Sequence, residues 1–387
     1  MISFENTQIA FSYKSNAELR QSQLLFKTIG NPTIVKVGNK MVNMALKFRL
    51  PIKWAVKPTI YKHFVGGETI QECVPTITKL AFNGVKSILD YSVEGKEEID
   101  DIEKALAETL RAVEFASGNK DIPFAVFKPT AFAKSALLEK ANAKKQLTTD
   151  EQNELADFVN RIDKLCYTAH KNNIPILIDA EDSWYQDLFD EVVEQMMEKY
   201  NKEKAIVYNT LQMYRWDRLN FLKESHKKAV DKGYYLGIKF VRGAYMEKER
   251  ERAQLMGYPS PIQPDKQSTD RDFNLALEYS IDNIDRISIF NGTHNEHSSR
   301  LLTELMEKRG LLPSDSRIWF SQLYGMSDNI SFNIAAAGFN VAKYLPYGPV
   351  KFVMPYLLRR ASENTSVKGQ TGRELNLILA EIKRRKL

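Results

Sequence analysis

From about Thr78 onward, short apolar runs alternate with longer segments of helical periodicity, and this alternation constrains the fold more than any other feature of the sequence. Eight runs are rich in β-branched or aromatic residues, as expected of strands that are buried on both faces of a parallel sheet. These runs are 87–91, 124–128, 174–180, 205–211, 237–241, 287–291, 318–321 and 341–345. Helical segments fill the gaps, at 97–117, 151–170, 185–200, 214–232, 270–284, 294–309, 328–337 and 350–363. Eight successive β/α units predict an α/β fold, a (β/α)8 TIM-like barrel rather than an open doubly wound sheet.

The two ends of the chain do not follow this rhythm. Residues 1–77 are predicted to form an N-terminal helical arm, and residues 78–387 to form the barrel domain. An Ala- and Lys-rich insertion at 133–150 is predicted to be partly helical. The basic tail at 383–386 is interpreted as the solvated end of a helix, and membrane-surface contact is the alternative.

Composition excludes several classes of protein. With 387 residues, of which 43% are hydrophobic and 27% charged, the chain can bury a large core and is not a disordered scaffold. The net charge of +6 is modest, and basic residues are spread out, so nucleic-acid binding is not expected. Two cysteines, Cys73 and Cys166, cannot build a disulfide framework, and reduced thiols in a cytoplasmic setting are expected. No apolar run reaches the roughly 18 residues of a membrane-spanning helix.

In a barrel, functional side chains lie at the carboxyl ends of the strands. Polar residues at those predicted ends are therefore candidates, although each has an ordinary explanation when taken alone. Asp179 could cap a helix, and Lys128 could be a solvated strand end. The candidates are Glu94, Lys128, Asp179, Gln212, Lys239, Arg242, Thr293, His294 and Tyr344. Taken together, they predict an active site at this end of the barrel.

The predicted helix at 350–363 carries an adjacent pair of arginines, Arg359 and Arg360, on the same side as Tyr356. Arginine offers planar, bidentate donors that match a carboxylate, so the pair could seize one small anion. A solvated basic face is the alternative. This last helix of the barrel is expected to lie over the barrel mouth.

Other sites are not supported by the sequence. No G-x-G-x-x-G follows a strand, no phosphate-binding P-loop motif occurs, and no G-x-S-x-G elbow marks an esterase. His294, Glu296 and His297 lie on one turn without a further spaced ligand, so no metal site is predicted.

These residues resemble those of the proline dehydrogenases, flavin-dependent barrel enzymes that open proline catabolism. The matching stretches begin at Phe127-Lys128 and Ile178-Asp179-Ala180-Glu181, and continue with Lys239 to Tyr245, Thr293-His294-Asn295, and Tyr344 to Asn364. The Tyr followed fifteen residues later by an Arg pair is the most specific of them. The form of the fifth-strand motif and the separate arm are similar to the monofunctional, mitochondrial-type branch.

The resemblance implies a role for each matching residue. Lys128, Arg359 and Arg360 would hold a substrate carboxylate, and Tyr344 would pack on the substrate ring. Asp179 and Lys239 would be catalytic, although many family members have Arg where Lys239 stands. The residues implied to line FAD are Ala180, Gln212, Arg242, Gly243, Ala244, Thr293 and His294. Glu94 would form a gating ion pair with Arg359.

The implied reaction is the oxidation of L-proline to 1-pyrroline-5-carboxylate, with hydride transfer to FAD and electrons passed on to a quinone. This is the first step of proline catabolism to glutamate, and peripheral contact with the inner face of a membrane is the expectation that goes with a quinone. Three alternatives remain open at this point. They are hydroxyproline dehydrogenase, a flavin-free lyase with Lys128 or Lys239 as a Schiff-base lysine, and a non-catalytic binder.

Overall fold

The computed structural model describes residues 2–48, 53–93, 97–366 and 370–387. Eight strands form one sheet. They are β1 (Lys86–Tyr91), β2 (Ala125–Phe127), β3 (Ile176–Ile178), β4 (Val207–Gln212), β5 (Leu236–Val241), β6 (Ile287–Gly292), β7 (Ile318–Leu323) and β8 (Val341–Tyr347). All eight predicted strands are therefore present, with ends that shift by up to two residues.

The order of the strands identifies the fold class. The sheet runs β1-β8-β7-β6-β5-β4-β3-β2, so that neighbours in the sheet are neighbours along the chain, apart from β1 and β8. The first and last strands pair in parallel, from Lys86 opposite Ala342 to Tyr91 opposite Tyr347. The pairs from β2 to β7 are also parallel. This is the strand order of a (β/α)8 barrel, and the predicted fold class is confirmed.

Helices occupy the gaps between the strands and both ends of the chain. Those before β2 are α1 (Thr7–Ala10), α2 (Asn16–Ile29), α3 (Pro32–Lys47), α4 (Lys53–Val56), α5 (Lys62–Phe64), α6 (Ile70–Phe82) and α7 (Ile99–Ser117). Those that follow are α8 (Ser135–Asn142), α9 (Thr149–Lys171), α10 (Ser183–Tyr200), α11 (Arg218–Lys232), α12 (Met246–Met256), α13 (Lys266–Asp282), α14 (Glu296–Lys308), α15 (Asp328–Ala336), α16 (Val350–Ser366) and α17 (Gln370–Arg384). A π-helical turn at Lys57–Tyr61 and a 3-10 turn at Pro129–Phe132 complete the set. The partly helical insertion is confirmed by α8, whereas α12 was not predicted.

Local sequence explains where these elements begin. Residues of β2 and β3 are buried at every position, because strands covered on both faces need continuous apolar runs. Helix α9 starts at a capping box, in which Thr148 and Glu151 each accept from the other's backbone N–H. The predicted start of α11 at residue 214 was wrong, because the helix begins four residues later, at Arg218. The cause is a turn in which Arg215 and Arg218 both bind the carboxylate of Asp217.

The chain divides into two compact units. One comprises residues 96–321, and the other comprises residues 2–95 together with 322–387. The predicted boundary between residues 77 and 78 stays a prediction. In the first unit, the ring centroid of Phe124 lies 5.0 to 5.6 Å from the ring centroids of Tyr208, Phe290 and Trp319. Phe124 directly precedes β2, so these contacts pack the core next to the start of that strand.

The second unit joins the two ends of the chain through a buried carboxylate. Asp328 accepts from the Tyr13 hydroxyl at 2.7 Å and lies 3.1 Å from the Lys14 ammonium and 3.0 Å from that of Lys343. These cations hold the pKa of Asp328 well below its usual range, against the opposing effect of burial. The network connects the start of the chain to α15 and β8. Breaking such a buried pair costs about 3–5 kcal/mol, so it anchors the arm.

The end of the chain differs from its predicted environment. Lys383, Arg384 and Lys386 are exposed, as expected of a solvated helix end. Arg385 is not, because its guanidinium donates to the carbonyl oxygens of Phe11 at 2.7 Å and Lys14 at 2.8 Å. The interpretation of the whole tail as solvated was therefore wrong at Arg385.

Both cysteines are buried free thiols. Among the described residues, no helix combines the length and the hydropathy that crossing a bilayer requires.

Candidate active site

Three predicted residues of the first unit, from strands β2, β3 and β5, meet near the carboxyl ends of those strands. Asp179 directly follows β3, Lys128 directly follows β2, and Lys239 lies two residues before the end of β5. The Lys239 ammonium donates to one carboxylate oxygen of Asp179 at 2.6 Å, and the Lys128 ammonium lies 3.6 Å from the other. Lys239 is only 6% exposed. One carboxylate thus holds two cations, and the cluster keeps a net positive charge.

A second carboxyl group, on Glu181, lies beside this cluster in a different environment. Its two oxygens accept from Thr130, one from the backbone N–H at 2.9 Å and one from the hydroxyl at 2.6 Å. Burial raises the pKa of Glu181 to about 7. The side chain of Gln212, at the end of β4, donates to the Glu181 carbonyl at 2.6 Å. Hydrogen bonds from Thr130 and Gln212 therefore hold the segment that follows β3.

The Arg242 guanidinium, which follows β5, is fixed by three partners. It donates to Asp270 at 2.7 Å, to the Thr293 hydroxyl at 2.6 Å and to the Ser298 hydroxyl at 3.0 Å. It also lies 4.4 Å from the ring centroid of Phe273. The structure thus brings together Arg242 and Thr293, two of the residues predicted to line a cofactor. These contacts hold the planar guanidinium of Arg242 in one orientation.

The turn after β5 requires glycine at position 243. Its φ is +124°, and an added Cβ would lie 2.6 Å from ring atoms of Tyr214. An L-residue there would be strained and would displace the tyrosine. The next residue, Ala244, is exposed, and Ala180 is buried after β3. His294 is half-buried in the segment between β6 and α14.

The remaining predicted residues belong to the second unit. Tyr344 is buried, but it lies three residues before the end of β8 and not at the strand end as predicted. The strand continues because residues up to Tyr347 pair with β1. Arg359 and Arg360 are half-buried on α16, and the Arg360 guanidinium lies 5.4 Å from the Tyr356 ring centroid, so these two side chains share a side as predicted. Glu94 lies outside the described residues.

The second unit also contains a cavity of about 920 Å³ that the sequence did not predict. Aromatic side chains, including Tyr13, Tyr61 and Tyr324, line it together with Lys14 and Lys79. Its wall also includes the helical turns around Trp54. The cavity therefore combines apolar surface with N–H and O–H donors.

Some residues of the first unit were missed by sequence reasoning. Thr130 and Asp270 were not proposed, although each holds a charged group in place. Thr130 comes two residues after Lys128, a spacing that could have drawn attention to it. Asp270 lies inside α13, and no local signal connects it to a strand end.

A parallel sheet with a carboxylate–lysine cluster at its strand ends is typical of a barrel enzyme. A family model described as proline dehydrogenase matches residues 73–373, and the chain belongs to that family.

The chain is also similar to individual proteins and to solved structures. The chain is 35% identical over 323 residues to the carbapenem antibiotics biosynthesis protein CarD of Pectobacterium carotovorum subsp. carotovorum, covering 83% of each. It is 32% identical to mitochondrial proline dehydrogenase 1 of Dictyostelium discoideum, covering 98% of this chain and 74% of that protein. Among solved structures, it resembles proline utilization A from Bdellovibrio bacteriovorus, crystallised after inactivation by N-propargylglycine. There the TM-score is 0.72 at 20% identity, covering 94% of this chain and 36% of that one. The chain thus spans about a third of that structure, and the likeness confirms the fold alone.

The raised pKa of Glu181 generates a prediction about stability. A folded-state pKa near 7 against an ordinary value of 4.5 means that the folded protein binds this proton more tightly than the unfolded chain. The resulting stabilisation is complete below about pH 4.5 and is lost as the pH rises through 7. Relative to Glu181→Gln, we expect the free energy of unfolding of the native protein to fall by on the order of 3 kcal/mol across this window.

Urea unfolding followed by circular dichroism at several pH values measures this difference. Glu374, whose pKa burial also raises to about 7, titrates in both proteins, and its effect cancels in the comparison. Glu203→Gln, at an exposed position, is the matched control and should leave the pH profile unchanged. A difference between Glu181→Gln and native protein that does not vary with pH would contradict the expectation.

Proposed function

We propose that this chain oxidises L-proline to 1-pyrroline-5-carboxylate, passing the hydride to FAD and the electrons on to a quinone. The observation that carries the proposal is the cluster of the half-buried Lys128 and Asp179 with the buried Lys239, in a chain that belongs to the proline dehydrogenase family. A cluster with net positive charge suits both an anionic substrate and an electron-accepting cofactor.

The substrate roles follow the family resemblance. Arg359 and Arg360 are assigned to the proline carboxylate, as is Lys128, and Tyr344 is assigned to packing on the ring. Anchoring a carboxylate by several cations fixes which ring carbon faces the cofactor. The ring nitrogen must be without its extra proton when the hydride leaves the adjacent carbon. A positively charged pocket favours the neutral ring nitrogen, because it disfavours an additional positive charge on the substrate.

FAD would supply the acceptor for the hydride. The donor chemistry of the first unit fits such a group, because the side chains of Lys239, Arg242 and Gln212 offer N–H donors at the ends of the adjacent strands β4 and β5. Such donors match an electron-rich ring and a diphosphate. Ala180, Gly243, Ala244, Thr293 and His294 complete the set of residues assigned to FAD. Asp179 would orient Lys239 through their 2.6 Å hydrogen bond.

A quinone is proposed as the electron acceptor, with the protein at the inner, cytoplasmic face of a membrane. The two free, buried thiols are compatible with a reducing compartment. Hydroxyproline is the competing substrate, and the buried Tyr344 is the residue that would crowd an added hydroxyl group.

The first test is the visible spectrum of the purified protein. We expect one bound FAD, with a flavin absorption that bleaches when L-proline is added under anaerobic conditions and returns with a soluble quinone. Nicotinamide cofactors should have no effect. Hydroxyproline should bleach the flavin more slowly than proline, and the reverse order would favour the alternative substrate. A colourless protein that gains no activity from added FAD would overturn the proposal, and would favour the flavin-free lyase.

The Arg pair can be tested separately from the cofactor. Arg359→Ala and Arg360→Ala should each raise KM for proline about ten- to a hundredfold, because a charge-assisted contact contributes about 1.5–3 kcal/mol. FAD content should stay at the native level. Lys351→Ala, at an exposed position of the same helix, is the control and should keep the native KM. Native KM values in both arginine variants would show that the carboxylate binds elsewhere.

The charge of Lys239 should tune the bound flavin. A cation in a partly desolvated site favours the reduced, anionic form. Lys239→Met should therefore lower the reduction potential and slow reduction by proline more than it weakens proline binding. Lys239→Arg, which keeps the charge, should retain most of the rate, and Asp179→Asn should move the potential in the opposite direction. Redox titration and stopped-flow reduction measure these effects; an unchanged potential in Lys239→Met would leave Lys239 with a structural role only.

A further inference from the structure

The outer face of α3 carries an uncovered apolar stripe. Its residues recur at intervals of three and four, which places them on one side of a helix. They are Ile34, Val37, Met41, Met44 and Phe48, the last directly after the helix, and they are 48%, 54%, 61%, 54% and 65% exposed. Trp54, on the following α4, is 79% exposed. Large apolar side chains in a row at this exposure mark an interaction surface.

The stripe is not the face that packs on the protein. Val35 is buried in the core of the second unit, and Val42 packs against the same core. At 100° per residue, these two valines point about 120° to 140° away from the middle of the stripe. The helix therefore has two apolar sides, of which the fold uses one.

Charge identifies what the other side can bind. Between Glu18 and Glu68 there is no acidic residue, while nine basic residues occur: Arg20, Lys27, Lys36, Lys40, Lys47, Arg49, Lys53, Lys57 and Lys62. The formal net charge of the whole chain is only +6, so the rest of the chain is net negative. Lys53 and Lys57 are paired with Glu68.

Lys36, Lys40 and Lys47 provide the charge next to the stripe. All three are exposed, and none has an ion-pair partner among the described residues. They project about 100° to one side of the stripe, on the same helix. An apolar stripe flanked by a lysine row is the pattern of a helix that lies in a lipid interface.

We propose that the outer face of α3 docks on an anionic lipid surface, with the stripe entering the interface and the lysine row contacting the headgroups. A second copy of this chain would fit less well, because it would bring two surfaces of like charge together. The helix has 16 residues, a length of about 24 Å, and its lysines prevent it from crossing the bilayer. Trp54 adds an aromatic side chain of the kind that is enriched at lipid interfaces.

This inference rests on the proposed location at a membrane and assigns the surface that makes the contact, but lipid binding by this surface does not depend on the proposed reaction. The test uses the full-length protein and vesicle sedimentation, with neutral phosphatidylcholine or with roughly a third phosphatidylglycerol. We expect binding to the anionic vesicles only, and a large loss at about 1 M salt, where the Debye length is about 3 Å.

Two triple variants separate the contributions of charge and apolar surface. Lys36→Gln with Lys40→Gln and Lys47→Gln should weaken binding on the order of a hundredfold. Val37→Gln with Met41→Gln and Met44→Gln should also weaken it, by at least about tenfold. All six positions are exposed, so the thermal midpoint and the rate of proline oxidation with a soluble acceptor should stay at native values.

The matched control removes three exposed lysines elsewhere, with Lys104→Gln, Lys120→Gln and Lys308→Gln. It changes the net charge equally and should bind nearly as the native protein does. Equal binding of the two lysine variants would overturn the proposal, as would equal binding of native protein to neutral and anionic vesicles. A concentration-dependent dimer that the apolar variant abolishes would assign the stripe to a second copy instead, and would also overturn it.

Discussion

Strands of a parallel sheet cannot be joined by tight turns, because each connection must return across the length of the strand. In this chain a helix makes each return, so the carboxyl ends of all strands open at one edge. Residues far apart in the sequence thus become neighbours: Lys128, Asp179 and Lys239 come from three β/α units and meet within hydrogen-bonding range or close to it. Their spacing follows from strand order and register more than from any local motif.

Two carboxyl groups two residues apart then acquire different properties. Asp179 has two lysine ammoniums within 4 Å, whereas the donors to the Glu181 carboxyl among the described residues are the N–H and hydroxyl of Thr130. Burial raises the pKa of Glu181, while Asp179 offsets part of the positive charge that the lysines bring. The difference lies in their partners, since lysine ammoniums contact Asp179 and the N–H and hydroxyl of Thr130 contact Glu181. One short segment thus supplies both a carboxylate that contacts two lysines, on Asp179, and a carboxyl group with a raised pKa, on Glu181.

Much of this arrangement could be predicted from the sequence, for a physical reason. Strands buried on both faces are continuous apolar runs, and their ends are recognisable where polar residues begin, as at Asp179 and Gln212. Contacts made through tertiary structure left no such signal. Asp270 reaches Arg242 from within a helix, Arg385 binds backbone carbonyls near the other end of the chain, and β8 extends past Tyr344 because β1 pairs with it. Pattern reasoning detects which side chains are buried, but not which distant partner buries them.

The second unit contains both ends of the chain, since residues 2–95 pack with residues 322–387. During translation, β1 and the arm leave the ribosome long before β8, α15 and α17 exist. At typical elongation rates, the interval between β1 and β8 is on the order of tens of seconds. Throughout it, Tyr13 and Lys14 lack Asp328, and the edge of β1 has no neighbour. Residues 2–95 therefore remain without their packing partners for that interval, and unpaired strand edges of this kind are what chaperones generally protect.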